Sequence, residues 1–451
     1  MSKESSTSQS APKEISPRGR EAALVEMTQD GHSSGVIPSE VEGSPSEQIE
    51  PQNLKQPQQT NNSGRRGPGG FDAPGERASG SFSAENGRQP REESPLITFI
   101  IPVYKALPWL ERSLSSILTS EKKSPTPIEL LICDDASPDG TGQLVNRLAG
   151  EDPRIVPMHN ETNGSVCYSR NRCLSLAKGT WICFVDQDDV LDAHAFEVFR
   201  KTLDDESDII YYGFQDFYDN EPVSMGDGTP GPTREFGADE IKKLQWDCLC
   251  RYKDSQPLVS YRLLPVPWGK LYRRSFLNDH NVRFREGLHR EEDIGFNLTA
   301  LAHCTHAKEC PYPLYHYRRS LDTQSHTYRP NIRRETDETL AWYREIIAEH
   351  YPDDPRMDEL YRFRELWGTL YNIALGCGHA DNPKPYRERK QDFEDLFTSE
   401  TLDANKALDP QMIRRLDPLH KILATLARKK NFRAIWLLGK LEPLTYKLKI
   451  R

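Results

Sequence analysis

The 451-residue sequence predicts an α/β protein with a mainly parallel sheet flanked by helices, a helical C-terminal region and a disordered N-terminal extension. Three observations predict this fold class. Apolar β-branched runs alternate with helical spacings up to about residue 200, helical spacing returns from Asn331, and residues 1–94 offer little apolar surface. Alternating strands and helices are typical of a parallel sheet with helices on its faces.

Residues 1–94 differ in composition from the rest of the chain. They contain 16 Ser, 11 Gly and 9 Pro, and their aromatic residues are Phe71 and Phe82. Such a segment cannot bury enough apolar surface to offset the entropy that ordering would cost. We therefore predict a disordered low-complexity extension without a fold, whether it belongs to the native protein or precedes a later start codon.

Residues 95–200 carry the alternation that predicts the parallel sheet. Pro108 suits the first turn of a helix, and the stretch SPDGT supplies the turn before the next one. The expected strands are 97–104, 128–135, 154–158 and 180–186. The expected helices contain Leu110, Leu114, Ile117 and Leu118, then Leu144, Val145 and Leu148, then Arg170–Ala177.

The pattern is less regular beyond residue 200. The run IIYYGFQDFY predicts a strand at 209–218, and a polar loop with Gly and Pro follows it. Apolar residues recur at helical spacing from Asn331 onward. The predicted domains are therefore an α/β domain at 95–328, with a nucleotide-binding half at 95–200 and an acceptor half at 201–328, and a helical region at 329–451.

Charge and hydropathy exclude two classes of protein. The net charge of −9 argues against a nucleic-acid partner, because no dominant positive field exists to collect phosphates. No apolar run approaches the ~20 residues that span a bilayer, and the N-terminus has no signal-peptide core. A cytoplasmic location is the resulting expectation.

The nine scattered cysteines are expected to be reduced, packed thiols, with a structural zinc site as the alternative.

An acidic pair, Asp134 and Asp135, ends the second predicted strand. Ligands bind at the carboxyl ends of the strands in parallel sheets, so this pair is a candidate ligand site. The alternative is a turn or a helix cap. Because Asp139 and Thr141 are available to cap the next helix, the pair is free to serve a ligand.

A second acidic cluster follows the fourth predicted strand in WICFVDQDDVLD, where Asp186, Asp188 and Asp189 lie next to an apolar run. Carboxylates so close together repel one another and need a cation nearby. Hard oxygen ligands at this spacing suit Mg²⁺ or Mn²⁺, which would in turn bind a diphosphate. We expect the cation to be brought in from outside the chain.

A third acidic site occurs in HREEDIGF, which contains Glu291, Glu292 and Asp293. These charges could simply stabilise the N-terminus of the helix that follows. The alternative is a general base held close to a hydroxyl group of a substrate.

These blocks together resemble the family 2 glycosyltransferases of the GT-A fold, a Rossmann-like arrangement, from about Thr98 to Ser325. The resemblance is carried by TFIIPVYK, LLICDDASPDGT, NGSVCYSRNRCLSLAKGTWICFVDQDD, WGKLYRRSFL, VRFREGLHREEDIGFNLTAL and PLYHYRRS, in that order. The last three are similar to the acceptor-side half of bacterial enzymes that build capsule, lipopolysaccharide and exopolysaccharide. Lys105 stands where that family usually has Asn.

The resemblance implies a role for each matching residue. The donor would be a nucleotide-diphosphate sugar, with uridine as the expected nucleoside, and the acceptor a hydroxyl of a glycan or lipid-linked molecule. The implied nucleotide-sugar site contains Pro102, Tyr104, Asp134, Asp135, Arg170 and Asp186. Asp186 and Asp188 would bind the divalent metal, and Asp293 would be the base of a single inverting displacement. Supporting or uncertain roles fall to Asp189, Glu292, His316 and Arg318.

Two other functions remain open at this point. ICFVDQDDV also matches the strand and D-x-D-x-[TV] opening of haloacid-dehalogenase-type phosphohydrolases, in which Asp186 would accept a phosphoryl group. That strand usually lies near the start of its domain, whereas two strand–helix units precede it here. The second alternative is a non-catalytic protein that binds nucleotide sugars.

The C-terminal segment 421–451 is basic in an acidic protein. It contains nine Lys or Arg residues and one acid, Glu442, interleaved with Ile435, Trp436 and several leucines. A basic amphipathic segment of this kind is suited to the surface of an anionic membrane. The alternative is a solvated helix that packs on its own domain.

Overall fold

The computed structural model describes residues 94–219, 222–250, 258–260, 263–319, 327–399 and 401–449, without the side chains of 441–449. Apart from Ser94, the predicted disordered extension lies outside the described residues. The first part of the fold consists of β1 (Ile97–Val103), α1 (Leu110–Lys123), β2 (Ile128–Asp134), α2 (Thr141–Glu151), β3 (Ile155–His159), α3 (Ser165–Leu176), β4 (Trp181–Phe184), β5 (Val190–Leu191) and α4 (Ala195–Thr202).

The second part adds the remaining strands and two groups of helices. It consists of β6 (Ile209–Tyr218), β7 (Arg234–Phe236), α5 (Ala238–Leu249), β8 (Lys270–Arg273), α6 (Arg274–Asp279), α7 (Glu292–His303) and β9 (Ala307–Arg319). The C-terminal helices are α8 (Ile332–His350), α9 (Pro355–Tyr371), a π-helical segment (Asn372–Cys377), α10 (Tyr386–Asp395), α11 (Ala404–Ala407), α12 (Pro410–Ile413), α13 (Pro418–Arg428) and α14 (Phe432–Lys449).

One sheet runs through the α/β part in the order β3-β2-β1-β4-β8-β6-β9-β5, and β7 pairs with β9. The strands from β3 to β4 are parallel, as predicted from the strand–helix alternation. Antiparallel pairing enters where β8 lies between β4 and β6, so the sheet as a whole is mixed. The α/β class with helices on the sheet is thus confirmed, and the parallel part brings the ends of β1, β2 and β4 to one edge.

The strands separate two apolar layers because successive side chains of a strand point to opposite faces. In β1, Phe99 and Ile101 pack into the layer formed with α1, α2 and α4, whereas Ile100 faces the other layer. That other layer continues from α3, α5 and α7 into the C-terminal helices. The C-terminal helices therefore share a core with α7, the helix that carries Asp293.

Three helices of the C-terminal region begin with the same Asp-Pro signal. Asp354, Asp409 and Asp417 each accept a hydrogen bond from a backbone N–H in the first turn, and each is followed by proline. A carboxylate at this position satisfies an otherwise unpaired N–H, and proline fits the first helical position. Among the described residues, no helix is long and apolar enough to cross a membrane.

The long strand β9 is not evident from the sequence. It contains Pro311 and Pro313, which lack an N–H for the ladder and normally argue against a strand inside a sheet. The register of the β6–β9 pair shifts near Gly213, where β6 lies opposite Pro313. An irregularity in the ladder at this point accommodates the prolines.

Candidate active site

The acidic clusters meet at the carboxyl edge of the parallel strands, as the sequence predicted. Val103 pairs with Asp134, the last residue of β2. Asp186 follows β4, whose Phe184 pairs with Ile100. Two clusters that are about 50 residues apart in sequence therefore lie at one edge, because β1 is the one strand between β2 and β4.

Tyr104 and the acidic motif are joined through Gln187, a residue that the sequence did not single out. The backbone N–H of Tyr104 donates to Gln187 Oε1 at 2.7 Å, and Gln187 Nε2 donates to the Tyr104 carbonyl at 3.1 Å. The side chain of Tyr104 stays exposed, whereas Pro102 is buried in β1. Gln187 thus fixes the loop after β1 against the Asp186–Asp188 segment and leaves the tyrosine ring available for stacking.

Asp135 organises the start of α3. Its Oδ1 accepts hydrogen bonds from Asn160 Nδ2 at 2.6 Å and from the Gly164 N–H at 2.8 Å, and its Oδ2 accepts one from the Ser165 N–H at 3.0 Å. Ser165 has a left-handed backbone with φ of 79°, which these bonds stabilise. Asp135 therefore caps the helix that carries Arg170, and its contact with a nucleobase stays a prediction.

Asp134 supports the turn after β2, and another acid caps α2. Asp134 Oδ1 accepts a hydrogen bond from the Ser137 N–H at 3.2 Å. Asp139 accepts hydrogen bonds from the N–H and the hydroxyl of Thr141 at the beginning of α2. The predicted cap of α2 by Asp139 is observed, but the acidic pair is not free, because Asp134 and Asp135 make the turn and helix-start contacts that the sequence left as the alternative.

Arg170 lies at the centre of the site and joins two of the acidic clusters. Its Nη1 donates to Asp293 Oδ1 at 2.7 Å, and its Nη2 donates to Asp186 Oδ1 at 3.1 Å. Glu292 lies 3.7 Å from the same Nη1. The guanidinium is buried and lies 5.0 Å from the centre of the Phe284 ring. A buried guanidinium thus connects the predicted donor side to the predicted base.

Asp293 has the electrostatic character of a group that exchanges protons near neutral pH. Burial raises the pKa of its carboxyl group to about 7, although Arg170 opposes that rise, and the neighbouring Glu292 adds to it. The carbonyl of Asp293 accepts a hydrogen bond from Asn297 Nδ2 at 2.9 Å. Asn297 Oδ1 in turn accepts bonds from buried Lys270 and Tyr272, so Asp293 is connected to a polar network that the sequence did not reveal.

Arg318 is the second arginine that contacts the acidic motif, after Arg170, and its partner there is Asp188. Arg318 Nη1 lies 3.3 Å from Asp188 Oδ2, and the guanidinium also binds Asp219 and lies over the ring of Trp109. Burial and the nearby charge of Asp186 raise the pKa of Asp188. The expectation that every positive partner of this cluster comes from outside the chain is wrong, because Arg170 and Arg318 lie against it.

Asp189 faces the interior. It accepts hydrogen bonds from the Tyr315 hydroxyl at 2.6 Å and from the Arg318 N–H at 2.7 Å, and burial raises its pKa well above the usual value. The same Tyr315 hydroxyl accepts a bond from the Asp186 N–H at 3.0 Å. Asp189 therefore fastens the motif to β9, which agrees with a supporting role.

His316 is buried and belongs to the support of this edge. Its Nε2 lies 3.0 Å from Asp192 Oδ2, and Asp192 also accepts bonds from the Tyr312 hydroxyl and the Gly226 N–H. Burial opposes ionisation of Asp192, but these partners lower its pKa to about 2. Of the roles that the sequence left open for His316, this placement favours the structural one over contact with donor phosphates.

The carboxylates at this edge do not form a complete metal site by themselves. Within the described part of the chain, no group of three or more His, Cys, Asp or Glu side chains could hold a metal alone. Mg²⁺ commonly binds one or two protein carboxylates and completes its shell with substrate phosphates and water. Asp186 and Asp188, each with a side chain that is 32% exposed, match that mode of binding.

Comparison with known proteins gives a family match over the part of the chain that holds these strands. Residues 98–254 match the model of glycosyl transferase family 2. An uncharacterized glycosyltransferase of Bacillus subtilis (strain 168), EpsJ, is 26% identical over 302 residues, which is 65% of this chain and 82% of that protein. The uncharacterized glycosyltransferase YibD of Escherichia coli (strain K12) is 25% identical over 67% of this chain and 84% of its own length.

Among solved structures, a crystal structure of S. aureus TarS 1–349 in complex with UDP-GlcNAc is similar. It aligns with a TM-score of 0.49 and 17% identity, and the alignment covers 77% of this chain and 92% of that chain. The family match includes the strand before Asp186, so it favours a glycosyltransferase over the phosphohydrolase that the D-x-D segment alone had left open.

Proposed function

We propose that this chain, which matches the glycosyl transferase family 2 model at residues 98–254, transfers a sugar from a nucleotide-diphosphate sugar to a hydroxyl of a glycan or lipid-linked acceptor. The process that it would serve is the synthesis of cell-surface polysaccharide. The observation that carries the proposal is the meeting of Asp186 and Asp293 on the single guanidinium of Arg170. One side of that contact suits a diphosphate and its metal, and the other suits a reacting hydroxyl.

The reaction that we propose is a single inverting displacement, as the family resemblance implies. The Asp293 carboxylate accepts the proton of the acceptor hydroxyl. At the same time the oxygen of that hydroxyl attacks the anomeric carbon, and the bond from this carbon to the diphosphate breaks. A base with a pKa of about 7 is well matched to this task near neutral pH. Asp186 and Asp188 would hold Mg²⁺ or Mn²⁺, which when bound stabilises the charge of the diphosphate leaving group.

The donor contacts follow from the same edge of the sheet. The exposed ring of Tyr104, fixed through its backbone by Gln187, offers a surface on which a nucleobase can stack. Pro102, Asp134 and Asp135 complete the proposed nucleoside site. Uracil is proposed as the base on the family resemblance, and the donor sugar is left to experiment.

The test is a panel of UDP- and GDP-sugars scored for nucleotide release with Mg²⁺ or Mn²⁺, with and without oligosaccharide and lipid-linked acceptors. We expect release with one donor class that depends on both the metal and Asp293. Asp293→Asn is expected to reduce turnover by ~10²–10⁴-fold while donor still raises the melting temperature. Donor binding with no release from any sugar by the unaltered protein would favour the non-catalytic alternative.

We further propose that helices α13 and α14 at the C-terminus contact an anionic membrane on the cytoplasmic side, where a lipid-linked acceptor would be available. Leu419 and Ile422 of α13, and Leu437 and Leu438 of α14, are exposed aliphatic side chains. Residues 421–440 contain six Lys or Arg residues and no acid. Exposed apolar side chains among cations are the composition that binds anionic lipid surfaces.

Charge reversal tests the membrane contact better than truncation. Phe432 and Ile435 of α14 are buried in the core, so removal of residues 421–451 would damage the fold. Lys429→Glu with Arg433→Glu changes two exposed side chains and should weaken binding to phosphatidylglycerol vesicles at least ~10-fold, at about 1 kcal/mol per cation. The matched control is Lys122→Glu with Lys123→Glu, two exposed lysines at the end of α1. Equal sedimentation of both variants would contradict the proposal.

A further inference from the structure

The residue before helix α7 has a backbone conformation that needs support. Glu291 has φ of 55° and ψ of 22°, which lie in the left-handed region that residues other than glycine rarely adopt. Asp293 is the second residue of the helix that begins immediately afterwards. Any relaxation of Glu291 toward an ordinary conformation would therefore redirect the chain at the entrance to Asp293.

The support comes from the C-terminal helices. Arg364 of α9 binds the Glu291 carboxylate with Nη2 2.5 Å from Oε2, and its side chain is 9% exposed. From α8, the Tyr343 hydroxyl donates to the Glu291 carbonyl at 2.7 Å, and the Thr339 hydroxyl donates to the Arg290 carbonyl at 3.0 Å. These contacts hold both the side chain and the backbone of the segment that precedes Asp293.

We infer that Arg364 is a positioning residue for transfer, which acts through Glu291 to keep Asp293 at the Arg170 guanidinium. The inference rests on the proposed role of Asp293 as the base. Arg364 belongs to the helical region at 329–451 and has its contact with Glu291, not with the acidic motif at Asp186 and Asp188. The C-terminal helices are thereby assigned a part in the chemistry of the α/β domain.

This arrangement predicts how Arg364→Met should differ from a donor-site variant. The loss of the guanidinium leaves the largely buried Glu291 carboxylate with the more distant Arg290, whose Nη2 lies 3.8 Å from Oε1, so we expect the left-handed turn to relax. A displacement of about 1 Å at the base lowers turnover by ~10²-fold, whereas KM for the nucleotide sugar should stay within ~3-fold because the donor edge is untouched. The acid limb of the pH profile should also move, since Asp293 loses contact with Arg170.

The matched control is Arg344→Met. Arg344 also joins α8 to α9, but its side chain is exposed and contacts Asp358 at 3.1 Å and the ring of Tyr361 instead of Glu291. Its loss should leave turnover within ~2-fold of the unaltered protein. Arg364→Lys keeps the charge without the planar fork and should fall between the two methionine variants.

A double variant keeps the test informative where Arg364→Met folds poorly. Glu291→Gly removes the carboxylate that has lost Arg364, and glycine adopts the left-handed conformation without strain. Combined with Arg364→Met, it should raise turnover at least ~5-fold above that of Arg364→Met alone. The reason is that the double variant has neither the carboxylate that lost its partner nor the backbone strain at position 291.

Three outcomes would overturn the inference: equal turnover of folded Arg364→Met and Arg344→Met, a raised KM for the donor at unchanged kcat, or no recovery in the double variant. Full activity of Asp293→Asn would instead overturn the proposed base, which distinguishes the two failures.

Discussion

Arg170 Nη1 lies 2.7 Å from Asp293 Oδ1, and this contact joins residues that are 123 positions apart in the sequence. The same guanidinium reaches Asp186 through its other nitrogen, so a single buried cation is shared by two carboxylates. Buried ionised groups require partners of opposite charge, and the removal of one partner leaves the other uncompensated. Arg170 therefore holds Asp293 in place and lowers its pKa against the larger, opposite effect of burial.

The first prediction concerns pH. Because burial raises the pKa of Asp293 to about 7, the carboxyl group is protonated below that pH and cannot accept the proton of a hydroxyl. We expect kcat/KM to rise about tenfold per pH unit below about 7 and to level off above it. The measurement is kcat/KM from roughly pH 5.5 to 8.5 at saturating metal. A profile that is flat across this range, or a limb close to the ordinary pKa of aspartate, would exclude Asp293 as the base.

Substitution of Arg170 should move that limb in a defined direction. The positive charge of Arg170 lowers the pKa of Asp293, so Arg170→Met should shift the acid limb to higher pH and reduce turnover at neutral pH by ~10²–10³-fold. Arg147→Met is the control, because Arg147 forms only exposed ion pairs with Glu111 and Glu151 on the surface. A limb that moves to lower pH in Arg170→Met would contradict this account of the site.

Removal of a carboxylate from the acidic motif should weaken the binding of the divalent metal, which a metal titration detects. Asp188→Asn retains the size of the side chain but loses the charge that a divalent cation needs. We expect the Mn²⁺ concentration for half-maximal nucleotide release to rise by more than the 10–100-fold that outer partners of a metal site typically contribute. Asp205→Asn, at an exposed position, is the control. An unchanged requirement would remove Asp188 from the metal site.

The edge of the sheet could be predicted from sequence because local patterns determine it. Buried runs that end in Asp134 and Asp186 predict parallel strands with acids at one edge, and the structure has them there. The contacts of Arg170 with Asp293 and of Arg318 with Asp188 could not be predicted, since they depend on how β8 and β9 enter the sheet. Neither strand has a clear local signal.

Supporting residues were missed for a related reason. Gln187 and Asn297 are common polar residues, and their function exists only through partners far away in the chain. His316 is the converse case: its block suggested a ligand contact, but its place on β9 puts the ring against Asp192 in the interior. A residue type indicates a possible chemistry, whereas the sheet order decides which side chains can meet.

The last prediction uses two helical glycines that should respond in opposite directions to a single methyl group. Gly295 lies in α7 against Trp342 of α8, and a Cβ at this position would overlap the indole ring. Gly295→Ala should therefore lower the free energy of unfolding by ~1–3 kcal/mol, because α7 and α8 must move apart to accept it. Gly150 lies in α2 with open space around its Cα, so Gly150→Ala should raise the free energy by about 0.5–1 kcal/mol through helix propensity alone. Urea unfolding measures the change in the free energy of unfolding for both variants. A Gly295→Ala variant as stable as the unaltered protein would contradict the close contact between α7 and the C-terminal helices. The placement of Asp293 depends on that contact.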